Sequence, residues 1–243
     1  MIRLKLLSKQ HLYFRILIYY LAFFVALAIC SEFTKEVADT ARGKYATLAI
    51  LVLWQLLALY SVEIFRVFGV KKRYVIIFRS LIVVGVISSF TIINPFWDPL
   101  PEFWKPPIFS VFHVATICMS VLMCYHILKD IFSSSATHMD HIWGAVVTYF
   151  FGIMIFADLY EICCLLVPGL LGEIYVMGMP NFINCILYSL NAASGLDALY
   201  PQAHGIFKNL ANVEHIISNL FLIVILGRLL SLPLEKYQPD RNS

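Results

Sequence analysis

Charge is the scarcest commodity in this sequence. Only 14% of its 243 residues are Asp, Glu, Lys or Arg, and 60% are hydrophobic, whereas soluble domains carry roughly a quarter charged residues. That balance excludes an ordinary water-soluble domain and points to a polytopic membrane protein. Long polar stretches are also missing, so the chain is expected to hold little beyond a membrane-embedded unit, with any ligand-sensing domain on another chain. Paired metal-ligand spacing is absent among Cys30, Cys118, Cys124, Cys163, Cys164 and Cys185. They lie mostly within or at the ends of apolar runs, as small packing residues do. No metal and no prosthetic group is expected. The net charge of +3 comes from basic residues at the ends of apolar runs, a pattern of membrane orientation rather than of nucleic-acid binding. No small-residue cleavage site ends the first run, and Ile29 stands where a lipoprotein box needs a small residue. That run is therefore expected to remain as an anchor.

Spanning a bilayer takes roughly 20 apolar residues, and six runs meet this: 12–30, 46–65, 74–93, 109–128, 143–167 and 210–232. An even number puts both termini on one side of the membrane. Arg3, Lys5, Lys9 and Arg15 around the first run, with Arg66, Lys71, Lys72 and Arg73 in the second connection, make that side cytoplasmic by the positive-inside rule. The opposite loop, 94–107, is dense in proline and aromatics. Its prolines stop the third helix, and Trp97 and Trp104 read as interfacial anchors.

Ionisable residues inside the runs face protein or water, because charge in hydrocarbon is costly. Glu63 and Arg66 are spaced to pair on one helical face, and Arg79 reaches Glu63 or snorkels to the interface. The basic residues do not recur at every third position of one helix, which argues against voltage sensing. Asp158 and Glu161 share a face one turn apart and read as interfacial carboxylates. Glu214, between Asn212 and His215, makes the start of the last span unusually polar. His113 and His126 read as packing residues.

Between the last two spans lies a stretch too short to cross. A helix over 182–193 is expected, capped by Asn181 and stopped at Ser194-Gly195. Such a segment dips in and returns, and non-helical backbone at membrane depth is tolerated only where it is buried in protein or lines water. The carboxyl end of this helix carries partial negative charge and favours a cation. Asp197 follows it.

From Tyr160 to Leu232 the order of parts resembles the pore module of bacterial six-helix members of the potassium-channel superfamily: outer helix, pore helix, filter, inner helix. The resemblance is carried by Leu159-Tyr160-Glu161, by Leu187-Tyr188-Ser189-Leu190, by Asp197 and Pro201, and by Asn212-Val213-Glu214 running on to Gly227-Arg228. It covers about a third of the chain and implies an all-α membrane protein of six transmembrane helices and one re-entrant pore helix. The implied parts are an N-terminal four-helix bundle (1–142), a pore module (143–232) and a cytoplasmic tail (233–243). The resemblance also implies a homotetramer in the bacterial plasma membrane that passes monovalent cations, with no enzymatic activity. Ser194, Gly195, Leu196 and Asp197 would form the filter, with Asp197 as an outer ring attracting cations. Asn212, Ser218, Asn219 and Ile223 would line the inner helix. The family's TVGYG-like filter is replaced by Ala192-Ala193-Ser194-Gly195-Leu196-Asp197, with one glycine and no threonine, so potassium selectivity is not expected.

Other classes are also open. A degenerate filter suits a non-conducting scaffold or regulatory subunit. Ser194 with His204 or His215 loosely resembles rhomboid intramembrane serine proteases, but no further spans separate serine from histidine as that family requires. A secondary transporter would show an internal repeat with paired broken helices, and only one broken segment is present.

Overall fold

The structure is a computed structural model and describes residues 2–36, 41–68, 70–93, 96, 100–133, 138–172, 178–196 and 202–230. Every regular element among them is helical. In chain order these are α1 (Ile2–Glu36), α2 (Ala41–Ser61), α3 (Glu63–Val67), α4 (Lys72–Ile93), a 3₁₀ turn (Glu102–Trp104), α5 (Lys105–Ile131), α6 (His138–Leu166), α7 (Met179–Ser194) and α8 (Gly205–Leu230). Among the described residues, six stretches are long and apolar enough to cross a membrane: His11–Ile29, Ala41–Val67, Lys72–Thr91, Lys105–Ile131, His141–Leu166 and Gly205–Arg228. They match the six apolar runs expected from sequence. α7, with 16 residues, rises about 24 Å at 1.5 Å per residue, short of a hydrocarbon core roughly 30 Å thick.

Local chemistry explains the boundaries. Prolines open α5 and α7 in the first turn, where a missing amide hydrogen is harmless. Hydroxyls inside the apolar helices bond back to their own backbone, as Ser61 does to Leu57 O (2.7 Å), Ser89 to Gly85 O (2.8 Å) and Thr148 to Gly144 O (2.9 Å). A polar group handled in this way leaves the helix compatible with hydrocarbon. Asn181 does not cap α7. Gly178 occupies the cap position, and the Asn181 amide turns inward to Glu161 of α6.

α7 packs against α6 and α8 and, less extensively, against α1 and α2. Aromatic rings join these helices: Tyr20 of α1 stacks on Phe150 of α6 (5.3 Å between centroids), and Trp54 of α2 meets Phe182 of α7 edge-on (5.7 Å). One buried apolar cluster runs from Leu12 through Ile50, Met123 and Phe151 to Ile186 and Ile225. Residues on both sides of position 142 contribute to that core. The expected tail, 233–243, lies outside the described residues.

Candidate functional site

Apolar contacts alone hold helices weakly in a bilayer, since lipid is as apolar as leucine, and polar links between helices then gain importance. α7 supplies such a row. Asn181, Cys185 and Ser189 recur at every fourth position, so they stand one above another on one face, and all are buried. Asn181 donates to the Glu161 carboxylate, and the Cys185 thiol lies 3.3 Å from the same oxygen. Ser189 Oγ sits 2.8 Å from Ile153 O of α6 and 2.5 Å from Glu214 Oε1 of α8. The Tyr160 hydroxyl donates to Glu214 Oε2 at 2.8 Å. Ile153 and Tyr160 of α6, Ser189 of α7 and Glu214 of α8 thus meet inside the last two spans.

Glu214 has hydroxyl partners only, and its position opposite Ser189 sets a hydrogen count. The Ile153 carbonyl can only accept, so the single Ser189 hydrogen points there. The short contact to Glu214 then needs a hydrogen from the carboxyl itself. The count closes with Glu214 as a neutral carboxylic acid, donating to Ser189 and accepting from Tyr160. That state also suits a residue 1% exposed at membrane depth.

A second polar chain ties α5 to α6. His113 Nδ1 lies 2.6 Å from Asp158 Oδ1, and Thr116 donates to Asp158 Oδ2 at 2.8 Å. Asp158 and Glu161 are 1% and 0% exposed, so they are inter-helix locks and not the interfacial pair expected from sequence. His113 Nε2 and Glu161 Oε1 are buried without a hydrogen-bond partner. Open polar atoms of this kind are few in a folded protein.

The carboxyl end of α7 is closed by Gly195 at φ 70°, ψ 19°. Its amide bonds Ala192 O (3.2 Å), and the Leu196 amide bonds Asn191 O (3.1 Å). This is the paired closure of a Schellman motif, whose left-handed residue favours glycine. Close approach gives a second reason for glycine here. A Cβ at Gly195 would stand 2.6 Å from His215 Cε1. The imidazole packs over the helix end with Nδ1 3.2 Å from Ala192 O and Nε2 2.9 Å from Asn219 Nδ2. Those partners are consistent when Nδ1 carries the hydrogen and donates to the carbonyl while Nε2 accepts from the amide. Between α7 and α8 lies a cleft of about 390 Å³ bordered by Tyr188, Asn191, Leu196, Lys208, Asn212 and His215.

No family model, curated protein or solved structure matches this chain.

Of the filter residues expected from sequence, Ser194 ends α7, with its hydroxyl turned back to Leu190 O (2.8 Å) and Asn191 O (3.1 Å). Gly195 stops the helix, Leu196 is 65% exposed, and Asp197 lies outside the described residues. At 100° per residue, Asn212, Asn219 and Ile223 fall within about 40° of one another on α8, and all are exposed. Glu214 lies on the opposite side. Ser218 stands about 120° round the helix from Asn212 and is half-buried, so it does not share their face. The ring nitrogens of His215 bond Ala192 O and Asn219 Nδ2, not Ser194.

Sequence points to Tyr160 and Ser189 through the resemblance and to Glu214 through the polar start of the last span, but to none of them as partners, and it makes Asn181 a cap. The signal available in the sequence was spacing: 181, 185 and 189 at intervals of four, with 158 and 161 at an interval of three.

Proposed function

We propose that the protein is a channel-like pore subunit for passive conduction of monovalent cations, four copies surrounding a central axis, without the filter residues that select potassium. One observation carries this reading: the stripe Asn212, Asn219 and Ile223 on α8, opposite the buried Glu214 and left uncovered by the chain itself. Carboxamides at membrane depth are expensive in lipid. Water in a pore, or α8 of a neighbouring copy, satisfies them.

The other parts have roles under this reading. The carboxyl end of α7 offers partial negative charge to a cation. Asp197 raises the local cation concentration at the outer mouth, and the apolar lower part of α8 around Ile223 gates by dewetting. Both termini face the cytoplasm. The alternative of a non-conducting scaffold is favoured by one observation: His215 bonds the Ala192 carbonyl and so occupies an acceptor that a cation near the end of α7 would use.

Cysteine scanning of α8 tests the proposal. In reconstituted protein, cysteines at 212, 219 and 223 are expected to react with a membrane-impermeant cationic thiol reagent above the background of the native cysteines. Cysteines at 217, 220 and 224, also exposed but on other faces, are expected to stay unreactive in lipid. Equal reactivity at all six positions, or none at any, removes the pore face.

A further inference from the structure

At the end of the bundle that gathers the basic residues, α1 and α4 stand on either side of α2 and α3 and leave a cleft of about 770 Å³. Leu12, Leu56 and Leu59 give it apolar walls, and Arg15 and Arg79 bring charge into it. The arginines do not sit at the ends of their helices. Arg15 lies about 6 Å beyond the start of the first span and Arg79 about 10 Å beyond the start of α4, at 1.5 Å per residue. A guanidinium at that depth needs a counter-charge or a route to the headgroups. Glu63 is the carboxylate at hand, and it is shared: Arg79 bonds one oxygen and Arg66 lies 3.4 Å from the other. Among the described residues Arg15 has no carboxylate partner. Three arginines against one carboxylate leave two positive charges in and beside an apolar cleft.

We propose that this cleft binds an anionic phospholipid, with its phosphate between Arg15 and Arg79 and its acyl chains along the leucines of α1 and α2. Charge complementarity identifies the headgroup: arginine holds phosphate oxygens through parallel N–H bonds, and basic pockets between membrane helices take anionic headgroups. The apolar walls and the depth of the arginines identify the ligand as a lipid instead of a soluble phosphate. Glu63 acts as a competitor, occupying Arg79 when the phosphate is absent. This site is independent of whether the protein conducts ions.

Native mass spectrometry of the full chain in detergent tests it, with phosphatidylglycerol and phosphatidylethanolamine of identical acyl chains added in equal amounts. The wild type is expected to retain phosphatidylglycerol preferentially. Arg15→Gln and Arg79→Gln are each expected to lower that preference roughly fivefold, following the contribution of one basic residue near an anionic headgroup. Glu63→Gln is expected to raise it by freeing Arg79. Lys129→Gln, at the same end of the bundle but away from the cleft, is expected to leave it unchanged. Arg15→Gln breaks no ion pair, so its loss of lipid cannot arise from unfolding through Glu63. Equal retention of both lipids by the wild type, or the same loss in Lys129→Gln as in the arginine variants, overturns the proposal. Displacement of the lipid by glycerol phosphate also overturns it, in favour of a soluble phosphate ligand.

Discussion

Gly195→Ala is expected to destabilise the protein by roughly 2–3 kcal/mol, through two causes that can be separated. The first is backbone conformation. At φ 70° a residue with a Cβ meets its own carbonyl, at a cost of about 1–2 kcal/mol. The second is the imidazole: the new methyl would stand 2.6 Å from His215 Cε1 and 3.3 Å from Nδ1. A ring held on both nitrogens cannot give way without losing its bonds to Ala192 and Asn219. The double variant Gly195→Ala/His215→Ala separates the two causes. With the ring removed, only the backbone strain should remain, and the two substitutions should be non-additive in the direction of rescue. Denaturant unfolding of the four proteins measures this. Strict additivity would mean that the ring and the helix end are not in contact.

Glu214→Leu is expected to lower stability by about 1–3 kcal/mol, whereas Glu214→Gln should cost less than about 1 kcal/mol. The difference rests on the hydrogen count at Ser189. A neutral carboxyl donates one hydrogen to Ser189 and accepts one from Tyr160, and a glutamine amide does both with nearly the same shape. Leucine does neither and leaves a tyrosine hydroxyl buried without a partner, which carries its own desolvation penalty. Tyr160→Phe, losing one of the two bonds, should fall between them. The same unfolding experiment reads all three. If Glu214→Gln proved as damaging as Glu214→Leu, the carboxyl would be acting as a charge, and the count would be wrong.

The spans, the short α7 and its stop at Gly195 were legible in the sequence because each has a local cause. Apolar length sets a span, and a glycine after an apolar helix sets a stop. The pairing of Arg79 and Arg66 with Glu63 was legible for the same reason, through spacing and the expense of an isolated charge in lipid. What was not legible is which helices meet. Asp158 and Glu161 look like surface carboxylates until α5 and α7 bring His113 and Asn181 to them. Asn181 looks like a cap because capping is the commonest use of asparagine beside a proline at a helix start. The packing of α6 over α7 overrides that preference by offering a carboxylate. The resemblance groups Ser218 with Asn212, although helical geometry alone sets the two on different faces.

Ion flux into liposomes reconstituted with the purified chain is the most direct test of the proposed pore. Potassium and sodium are expected to enter at comparable rates, well above protein-free liposomes and well above chloride, and Asp197→Asn is expected to slow cation entry. Flux indistinguishable from protein-free liposomes for all three ions, with an added ionophore confirming intact gradients, would contradict the pore and leave α6, α7 and α8 as the core of a non-conducting scaffold.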